Sequence, residues 1–199
     1  MLVNERGIYH VFIGLLERRI AFGAIHVLCN NAGISSPDVP IWEVTLQDWQ
    51  HVVGVNMQGI INGIHTFLPH MLAQDSEGHI VNTASAAGLG SRPGISPYVA
   101  TKHAVIALSE SLHHELHTAG SKLRTSVLCP GRIRTNMMAR HLNDLSTSDA
   151  EDLVASYLLP TQVGDLVIDA IRTERFYILT HPEAEKDRVR GAANDILLE

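Results

Sequence analysis

The sequence predicts a single α/β domain built around a parallel β-sheet. Four short apolar runs, rich in valine, isoleucine and leucine and without strict alternation, are typical of strands buried on both faces. Stretches with helical periodicity separate these runs, and such alternation of strand and helix indicates a parallel sheet with right-handed crossovers. The length of 199 residues and the apolar content of 45% suit one domain with a substantial core.

The apolar runs place the strands along the chain. They are "IHVLCN" (25–30), "HIVNTA" (79–84), "RTSVLC" (124–129) and "FYILT" (176–180). The two cysteines, Cys29 and Cys129, lie near the ends of the first and third runs. Both are therefore predicted to be core residues of a protein in a reducing compartment and not partners in a disulfide framework.

Three helices are predicted in the intervening segments. The first, over 45–72, begins with an acidic capping box formed by Thr45 and Asp48. The second, over 97–118, has Pro97 in its first turn, and the third covers 162–173. The apolar stripes that support these helices are Val52, Val55, Ile60 and Ile64 in the first, Val105, Leu108, Leu112 and Leu116 in the second, and Val163, Leu166, Val167, Ala170 and Ile171 in the third.

Composition and charge argue against several classes of function. The net charge is −6 and the basic residues are scattered, which is unlike a nucleic-acid-binding surface. The 12 histidines include "HHELH" (113–117), but this segment lacks the zinc-protease spacing, so solvent-facing histidines and no metal site are expected. No apolar run reaches the roughly 18 to 20 residues that span a bilayer. The run "GIYHVFIGLL" (7–16) contains His10 and leads into charged residues, which favours a soluble cytoplasmic protein over a secreted one.

Polar motifs follow three of the predicted strands, where a parallel sheet binds its ligands. These motifs are "NNAG" (30–33), "TASAAG" (83–88) and "PGRIRTN" (130–136). The segment "SPYVATKHA" (96–104) adds Tyr98 and Lys102, which share one helix face because they lie four residues apart. A nearby cation favours the phenolate, so Lys102 is expected to lower the pKa of Tyr98 from about 10 toward neutrality. The pair alone is equally consistent with a surface tyrosine and an unrelated lysine.

Taken together and in this order, the motifs resemble those of the classical short-chain dehydrogenase/reductase family. The resemblance runs from about residue 20 to the C-terminus. Ser85 precedes Tyr98 by 13 residues, the separation that the family uses between its catalytic serine and tyrosine, and "VNMQG" places Asn56 at the position of the family's catalytic asparagine. The resemblance implies a Rossmann-like doubly wound parallel sheet and an NAD(P)-dependent oxidoreductase that interconverts an alcohol and a ketone by hydride transfer.

The resemblance also implies a role for each residue of an Asn-Ser-Tyr-Lys tetrad. Tyr98 would transfer the proton to or from the substrate oxygen, and Ser85 would hydrogen-bond that oxygen. Lys102 would lower the pKa of Tyr98 and hold the nicotinamide ribose hydroxyls. Asn56, in a helix loosened by glycines, would anchor a water that links Lys102 to solvent. Taken singly, Ser85 could be an ordinary loop serine and Asn56 an ordinary polar helix residue.

The cofactor, NAD or NADP, is assigned by the same resemblance to the strand ends. The implied contacts are Asn30, Asn31, Ala32, Gly33, Tyr98, Lys102, Pro130, Gly131, Ile133 and Thr135. The two asparagines could also act as turn formers, and Pro130 with Gly131 could simply open a loop.

The chain departs from the family at its N-terminal end. The Gly-rich turn that cradles the pyrophosphate is absent, and the first two βα units, roughly 55 to 60 residues, are missing, with "MLVN" at best a remnant of the third strand. The expected fold is thus an incomplete single domain over 1–199, with the strand at 25–30 lacking a neighbour. Losing on the order of 500 Å² of apolar contact would forfeit about 12 kcal/mol, which suggests a fragment of a longer enzyme.

A rival hypothesis from another class is a non-catalytic relative that acts as an interaction protein. Pairing would then use the exposed strand edge or the helices at 45–72 and 98–118, which form the oligomer interface in the family, so a homodimer or homotetramer is expected in either case. Substrate choice is expected to depend on 136–160, whose apolar residues suggest a lid; they are Met137, Met138, Leu142, Tyr157 and Leu158. These residues name no particular alcohol or ketone, and neither the coenzyme preference nor the reaction direction is indicated.

Overall fold

A four-stranded parallel sheet forms the centre of the molecule. The computed structural model of the chain describes residues 23–135, 137 and 156–198. The strands stand in the order β1 (Val27–Asn30), β2 (Gly78–Thr83), β3 (Leu123–Cys129) and β4 (Tyr177–Leu179), and each neighbouring pair is parallel. All four predicted strands are confirmed, with shifts of one to two residues at their ends.

The helices lie between and after the strands as the periodicity predicts, with two differences. They are α1 (Leu46–Val53), α2 (Gly59–Ala73), α3 (Ser96–Thr118), α4 (Pro160–Arg172) and α5 (Pro182–Leu197). The helix predicted over 45–72 is interrupted by a π-helical turn, Gly54–Gln58, that joins α1 to α2. Helix α5 was not predicted, because its sequence is largely charged and most of its side chains are exposed.

Helices cover both faces of the sheet, which confirms the doubly wound α/β class. On one face, α2 and α3 bury a cluster against β2 and β3; its members are Phe67, Met71, Ile80, Leu112, Leu116 and Leu123. On the other face, α4 packs Ala170 against Val81, Leu128 and Ile178. The lack of strict apolar–polar alternation in β2 and β3 therefore reflects burial on both sides.

Strand β1 lies at an edge of the described sheet and is only partly covered. Val27 is 49% exposed and Cys29 is exposed, whereas Cys129 on the central strand β3 is fully buried. The prediction that both cysteines belong to the core is thus wrong for Cys29 and right for Cys129. The reason is position in the sheet, since among the described residues β1 pairs only with β2.

Two expectations on metal and membrane can be compared with the described part of the chain. Across 23–135, 137 and 156–198, no group of three or more His, Cys, Asp and Glu side chains is placed to hold a metal ion. No helix in the same ranges is long and apolar enough to cross a membrane. The strand remnant "MLVN", the apolar run at 7–16, and Met138 and Leu142 of the predicted lid lie outside the described residues.

Candidate active site

The predicted tetrad comes together at the carboxyl ends of the strands. Ser85 follows β2 and caps a short helical turn, while Tyr98 and Lys102 lie in the first two turns of α3. The Lys102 ammonium is 5.6 Å from the centroid of the Tyr98 ring, as the shared helix face predicts. Asn56 lies in the π-helical turn, a local structure frequently found at functional sites.

Asn56 ties the loop after β1 to helix α3. Its side chain is completely buried, and its Oδ1 accepts a hydrogen bond of 2.8 Å from the Ile34 amide. Its Nδ2 donates to the Ile34 carbonyl at 3.0 Å and to the Thr101 hydroxyl at 3.3 Å. Because both Nδ2 hydrogens are used within the protein, the side chain acts first as a clamp on the loop that carries Gly33.

Lys102 is a buried cation with unused hydrogen-bonding capacity. It is 3% exposed, and its Nζ donates to the Thr83 carbonyl at 2.9 Å. Burial lowers the pKa of Lys102 to about 8, because the charged form loses its hydration. A Cβ placed on Gly33 would lie 3.5 Å from both Lys102 Nζ and Asn56 Oδ1. Gly33, Asn56 and Lys102 therefore converge on one point of the cleft.

Tyr98 does not have the depressed pKa expected from its lysine neighbour. Burial raises the pKa of Tyr98, and a hydrogen bond from Ser85, which favours the phenolate, offsets this only in part. The expectation is wrong because desolvation of the buried phenol outweighs its polar neighbours, and because the Lys102 ammonium donates to the Thr83 carbonyl. A pKa raised above 10 keeps Tyr98 a neutral phenol at neutral pH.

Asn30, the last residue of β1, and Asn31, which follows it, fasten this end of β1 to β2. Asn30 Nδ2 donates to Asn82 Oδ1 at 2.9 Å, and Asn82 in turn donates to the Ser109 hydroxyl inside the fold. Asn31 Oδ1 accepts a hydrogen bond of 3.0 Å from the Thr83 hydroxyl. Both side chains are thus used in shaping the turn. Ala32, which follows, is exposed, and Gly33 lies next to Lys102 and Asn56.

The segment after β3 lies beside Ser85. The Pro130 carbonyl accepts a hydrogen bond of 2.9 Å from the Ala86 amide, and the Ser85 hydroxyl lies 3.4 Å from the same oxygen. Ile133 is 7% exposed and bridges to Leu158, whereas Thr135 is exposed. Tyr157, which the sequence placed in a lid, is 8% exposed. The structure therefore places the third predicted strand-end motif next to the tetrad.

Sequence reasoning missed a polar cluster after β4. Thr180 and Glu185 are buried, and His181 is half-buried beside them. The amide of Gly131 donates to Thr180 Oγ1 at 2.8 Å, which joins this cluster to the segment after β3. The rule that ligands bind at strand ends could have identified this cluster, since the fourth predicted strand ends at Thr180 and "HPEAE" (181–185) directly follows it.

Comparisons with known proteins show which sequences and structures this chain is similar to. Residues 15–146 match the family model described as short chain dehydrogenase. The chain is 31% identical over 195 residues to a "CLA biosynthesis dehydrogenase/reductase" of Lactiplantibacillus plantarum, which covers 87% of this chain and 68% of the relative. It is 33% identical over 175 residues to a 1-deoxy-11-beta-hydroxypentalenate dehydrogenase of Streptomyces avermitilis, covering 87% of this chain and 62% of the relative. A 2-(R)-hydroxypropyl-CoM dehydrogenase of Xanthobacter autotrophicus is 41% identical over 154 residues, covering 75% of this chain and 59% of the relative.

Solved structures show the same similarity in three dimensions. A short chain dehydrogenase/reductase from Burkholderia phymatum in complex with NAD superposes with a TM-score of 0.83 at 37% identity, covering 96% of this chain and 73% of that one. Levodione reductase superposes with a TM-score of 0.78 at 25% identity, covering 90% and 74%. The chain thus spans 59% to 68% of the length of the curated relatives named here and about three quarters of these two solved structures.

Proposed function

This chain belongs to the short chain dehydrogenase family of oxidoreductases, and on that premise we propose that it interconverts an alcohol and a ketone with NAD(H) or NADP(H). Asn56, Ser85, Tyr98 and Lys102 are proposed to carry the reaction. The observation that carries the proposal is the buried Lys102 ammonium, 3% exposed, held 5.6 Å from the Tyr98 ring at the strand ends. Among the residues that the structure describes, no carboxylate pairs with this ammonium. An unpaired buried cation is costly, and such groups are concentrated at functional sites.

The residues around Lys102 fit a nicotinamide nucleoside. An ammonium group has three N–H donors, and the hydrogen bonds of the described residues use one of them, to the Thr83 carbonyl. Two donors therefore remain for a pair of ribose hydroxyls. The absence of a side chain at Gly33 keeps open the space next to Lys102 Nζ and Asn56 Oδ1. Gly131 and Ile133 would border the nicotinamide ring on the side of β3.

The bound nicotinamide supplies or accepts the hydride. The protein's part is to move a proton and to orient the substrate oxygen. The raised pKa of Tyr98 keeps its phenol protonated at neutral pH, which is the form that can donate a proton to a carbonyl oxygen. The Ser85 hydroxyl, hydrogen-bonded to Tyr98, is placed to donate to the same oxygen. Asn56 keeps the Gly33 loop against Lys102 through its bonds to Ile34.

A titration of the chain with NADH and NADPH, followed by nucleotide fluorescence, tests the cofactor assignment. We expect saturable binding that weakens about tenfold or more in Lys102→Ala, since the donors to the ribose are lost. Lys122→Ala is the matched control, because this lysine is about half exposed and pairs with Asp75 at 3.0 Å. A folded wild type that binds neither nucleotide, or a Lys102→Ala variant that binds as well as the wild type, would contradict the assignment.

Replacing Tyr98 tests the assignment of the proton donor. In a screen of secondary alcohols and ketones, Tyr98→Phe is expected to lower kcat by about 10²- to 10⁴-fold, the usual contribution of a general acid or base. The Kd for NADH should stay near that of the wild type, since the ring itself is retained. Unchanged turnover in Tyr98→Phe would rule out this role.

A homodimer or homotetramer is proposed as the assembly. Large apolar side chains are exposed at and before the start of α1, with Trp42 82% and Leu46 80% exposed. Val27 on the edge strand β1 is a further exposed apolar residue. The same surface would serve the alternative function, an interaction protein without catalysis, which nucleotide titration distinguishes. Light scattering that shows a stable, folded monomer would contradict both the assembly and the alternative.

A further inference from the structure

A buried carboxylate lies next to the candidate active site without a part in the tetrad. Glu185 is 1% exposed although it belongs to the first turn of α5, whose other side chains are mostly exposed. A carboxylate removed from water requires hydrogen-bond donors, so its partners indicate why it is there. Its Oε2 accepts from the His181 amide at 3.1 Å, and its Oε1 accepts from the Thr180 hydroxyl at 3.2 Å.

The hydroxyl of Thr180 connects Glu185 to the segment after β3. Thr180 Oγ1 accepts a hydrogen bond of 2.8 Å from the Gly131 amide, and His181 Nδ1 lies 2.9 Å from the same oxygen. A hydroxyl has one proton, and donating it to Glu185 leaves the oxygen to accept from both neighbours. The hydrogen bonds therefore run in one direction, from Gly131 N–H to Thr180 O–H to the carboxylate, and His181 carries its proton on Nδ1.

The Pro130–Gly131 turn is confined from two sides. On one side, a Cβ at Gly131 would come within 2.6 Å of His181 Nδ1 and 3.2 Å of Glu185 Oε1, so a side chain there would displace the cluster. On the other side, the Pro130 carbonyl accepts from the Ala86 amide at 2.9 Å and lies 3.4 Å from the Ser85 hydroxyl. A displacement of this turn would therefore be felt at Ser85.

We propose that Glu185, acting through Thr180, is a positioning residue that holds the Pro130–Gly131 turn as one wall of the nicotinamide site. The inference rests on the proposed function, since it assigns the turn to a cofactor. The Thr180 hydroxyl donates to a carboxyl group whose other oxygen accepts from the His181 amide, and a hydrogen bond to an ionised carboxylate is stronger than one to a neutral acceptor. Burial raises the pKa of Glu185, while the hydrogen bonds from the His181 amide and Thr180 oppose that rise and favour the ionised acceptor.

Two substitutions at Thr180 separate positioning from packing. Thr180→Val keeps the shape and removes the hydroxyl, whereas Thr180→Ser keeps the hydroxyl and removes a methyl group. Hydrogen exchange at the Gly131 amide, measured by NMR without ligand, reports the hydrogen bond directly, and NADH titration reports the cofactor wall. In Thr180→Val, the Gly131 amide hydrogen should exchange with solvent at least about tenfold faster than in the wild type, and NADH should bind about tenfold more weakly. Thr180→Ser should stay near the wild type in both measurements.

Glu185→Gln and Glu183→Gln form the matched pair for the carboxylate. The first keeps the side-chain shape and removes the buried charge, so it should change both measurements in the same direction as Thr180→Val. The second alters an exposed carboxylate on the same helix, which pairs with Lys186, and should change neither. If Glu185→Gln does not fold, as judged by circular dichroism, the two Thr180 variants still decide the question.

The outcomes separate this inference from the proposed function. Equal Gly131 exchange in Thr180→Val and the wild type, with NADH binding intact, overturns the positioning role alone. Equal losses in Thr180→Val and Thr180→Ser also overturn it, since they indicate packing. A folded wild type that binds no NADH overturns the proposed function and, with it, the cofactor role given to the turn.

Discussion

Lys102 is expected to oppose folding at neutral pH, and its replacement should reveal this. Burial lowers its pKa from 10.5 to about 8, so the folded protein binds this proton less readily than the unfolded chain does. A base with a lowered pKa contributes its full stability only above 10.5, and that contribution is lost as the pH falls through about 8. The difference between the two pKa values, at about 1.4 kcal/mol per pH unit, amounts to about 3 kcal/mol at pH 7.

Lys102→Met is the variant that isolates this effect. It keeps most of the stem and removes the amine together with its hydrogen bond to Thr83, a loss that is present at every pH. The informative quantity is therefore the difference in unfolding free energy between wild type and variant, followed by urea unfolding from about pH 7 to about pH 10.5. The wild type should gain about 3 kcal/mol relative to the variant over this range. Lys122→Met, at an exposed lysine, controls for any pH trend caused by removing a lysine as such.

A difference that stays constant within about 0.5 kcal/mol from pH 7 to 10.5 would refute the reasoning, because an ammonium that remains hydrated in the folded protein produces no such trend. The same variant also connects stability with function. Retaining a buried cation is understandable if the cation is needed for a ligand, since active sites often sacrifice stability for activity. At pH 7, where Lys102→Met is most stable relative to the wild type, the variant should therefore lose nucleotide binding.

Two glycines and the two cysteines offer further matched comparisons. A Cβ at Gly63 would collide with the Asn30 side chain, so Gly63→Ala should lower the unfolding free energy by about 1–3 kcal/mol. A Cβ at Gly164 would meet no atom within 4 Å outside its own helix backbone, so Gly164→Ala should raise the unfolding free energy by up to about 1 kcal/mol. Equal changes for the two variants in urea unfolding would contradict the close contact between Gly63 and Asn30. Cys29 is exposed whereas Cys129 is fully buried with its pKa raised to about 12, so a thiol reagent at pH 8 should label Cys29 in the native protein and Cys129 only after unfolding. Partial desolvation by the surrounding chain raises the pKa of Cys29, so its labelling should be slower than that of a free thiol. Native labelling of Cys129, detected by mass spectrometry, would show that β3 opens.

Some properties of this protein follow from residues close together in the chain. The apolar runs are continuous and bounded by turn residues, so they locate all four strands within one or two residues. The spacing of Tyr98 and Lys102 places both side chains on one helix face, as the 5.6 Å separation confirms. The predicted N-cap likewise forms: Thr45 Oγ1 accepts from the Asp48 amide at 3.1 Å, and the Thr45 hydroxyl donates to Asp48 Oδ2 at 2.6 Å. These features depend on local geometry, and local geometry is what a sequence pattern encodes.

Sequence patterns predicted less well those properties that depend on how deeply a residue is buried in the folded protein. Cys29 lies in an apolar run like Cys129, but it is exposed because β1 is an edge strand among the described residues. The pKa of Tyr98 was expected to fall and instead rises, because burial outweighs its polar neighbours. Helix α5 has little apolar periodicity of its own, so nothing in its sequence distinguishes it from a solvated loop.

The sequence by itself determined the family, the parallel α/β class and the residues of the candidate tetrad, because ordered motifs and short spacings carry that information. Only the tertiary structure decided how each side chain is solvated and which distant segments touch. It sets the lowered pKa of Lys102, the clamp that Asn56 forms on Ile34, and the link from Glu185 through Thr180 to Gly131. Gly131 and Thr180 are 49 residues apart, and only the pairing of β3 with β4 brings them within hydrogen-bonding distance.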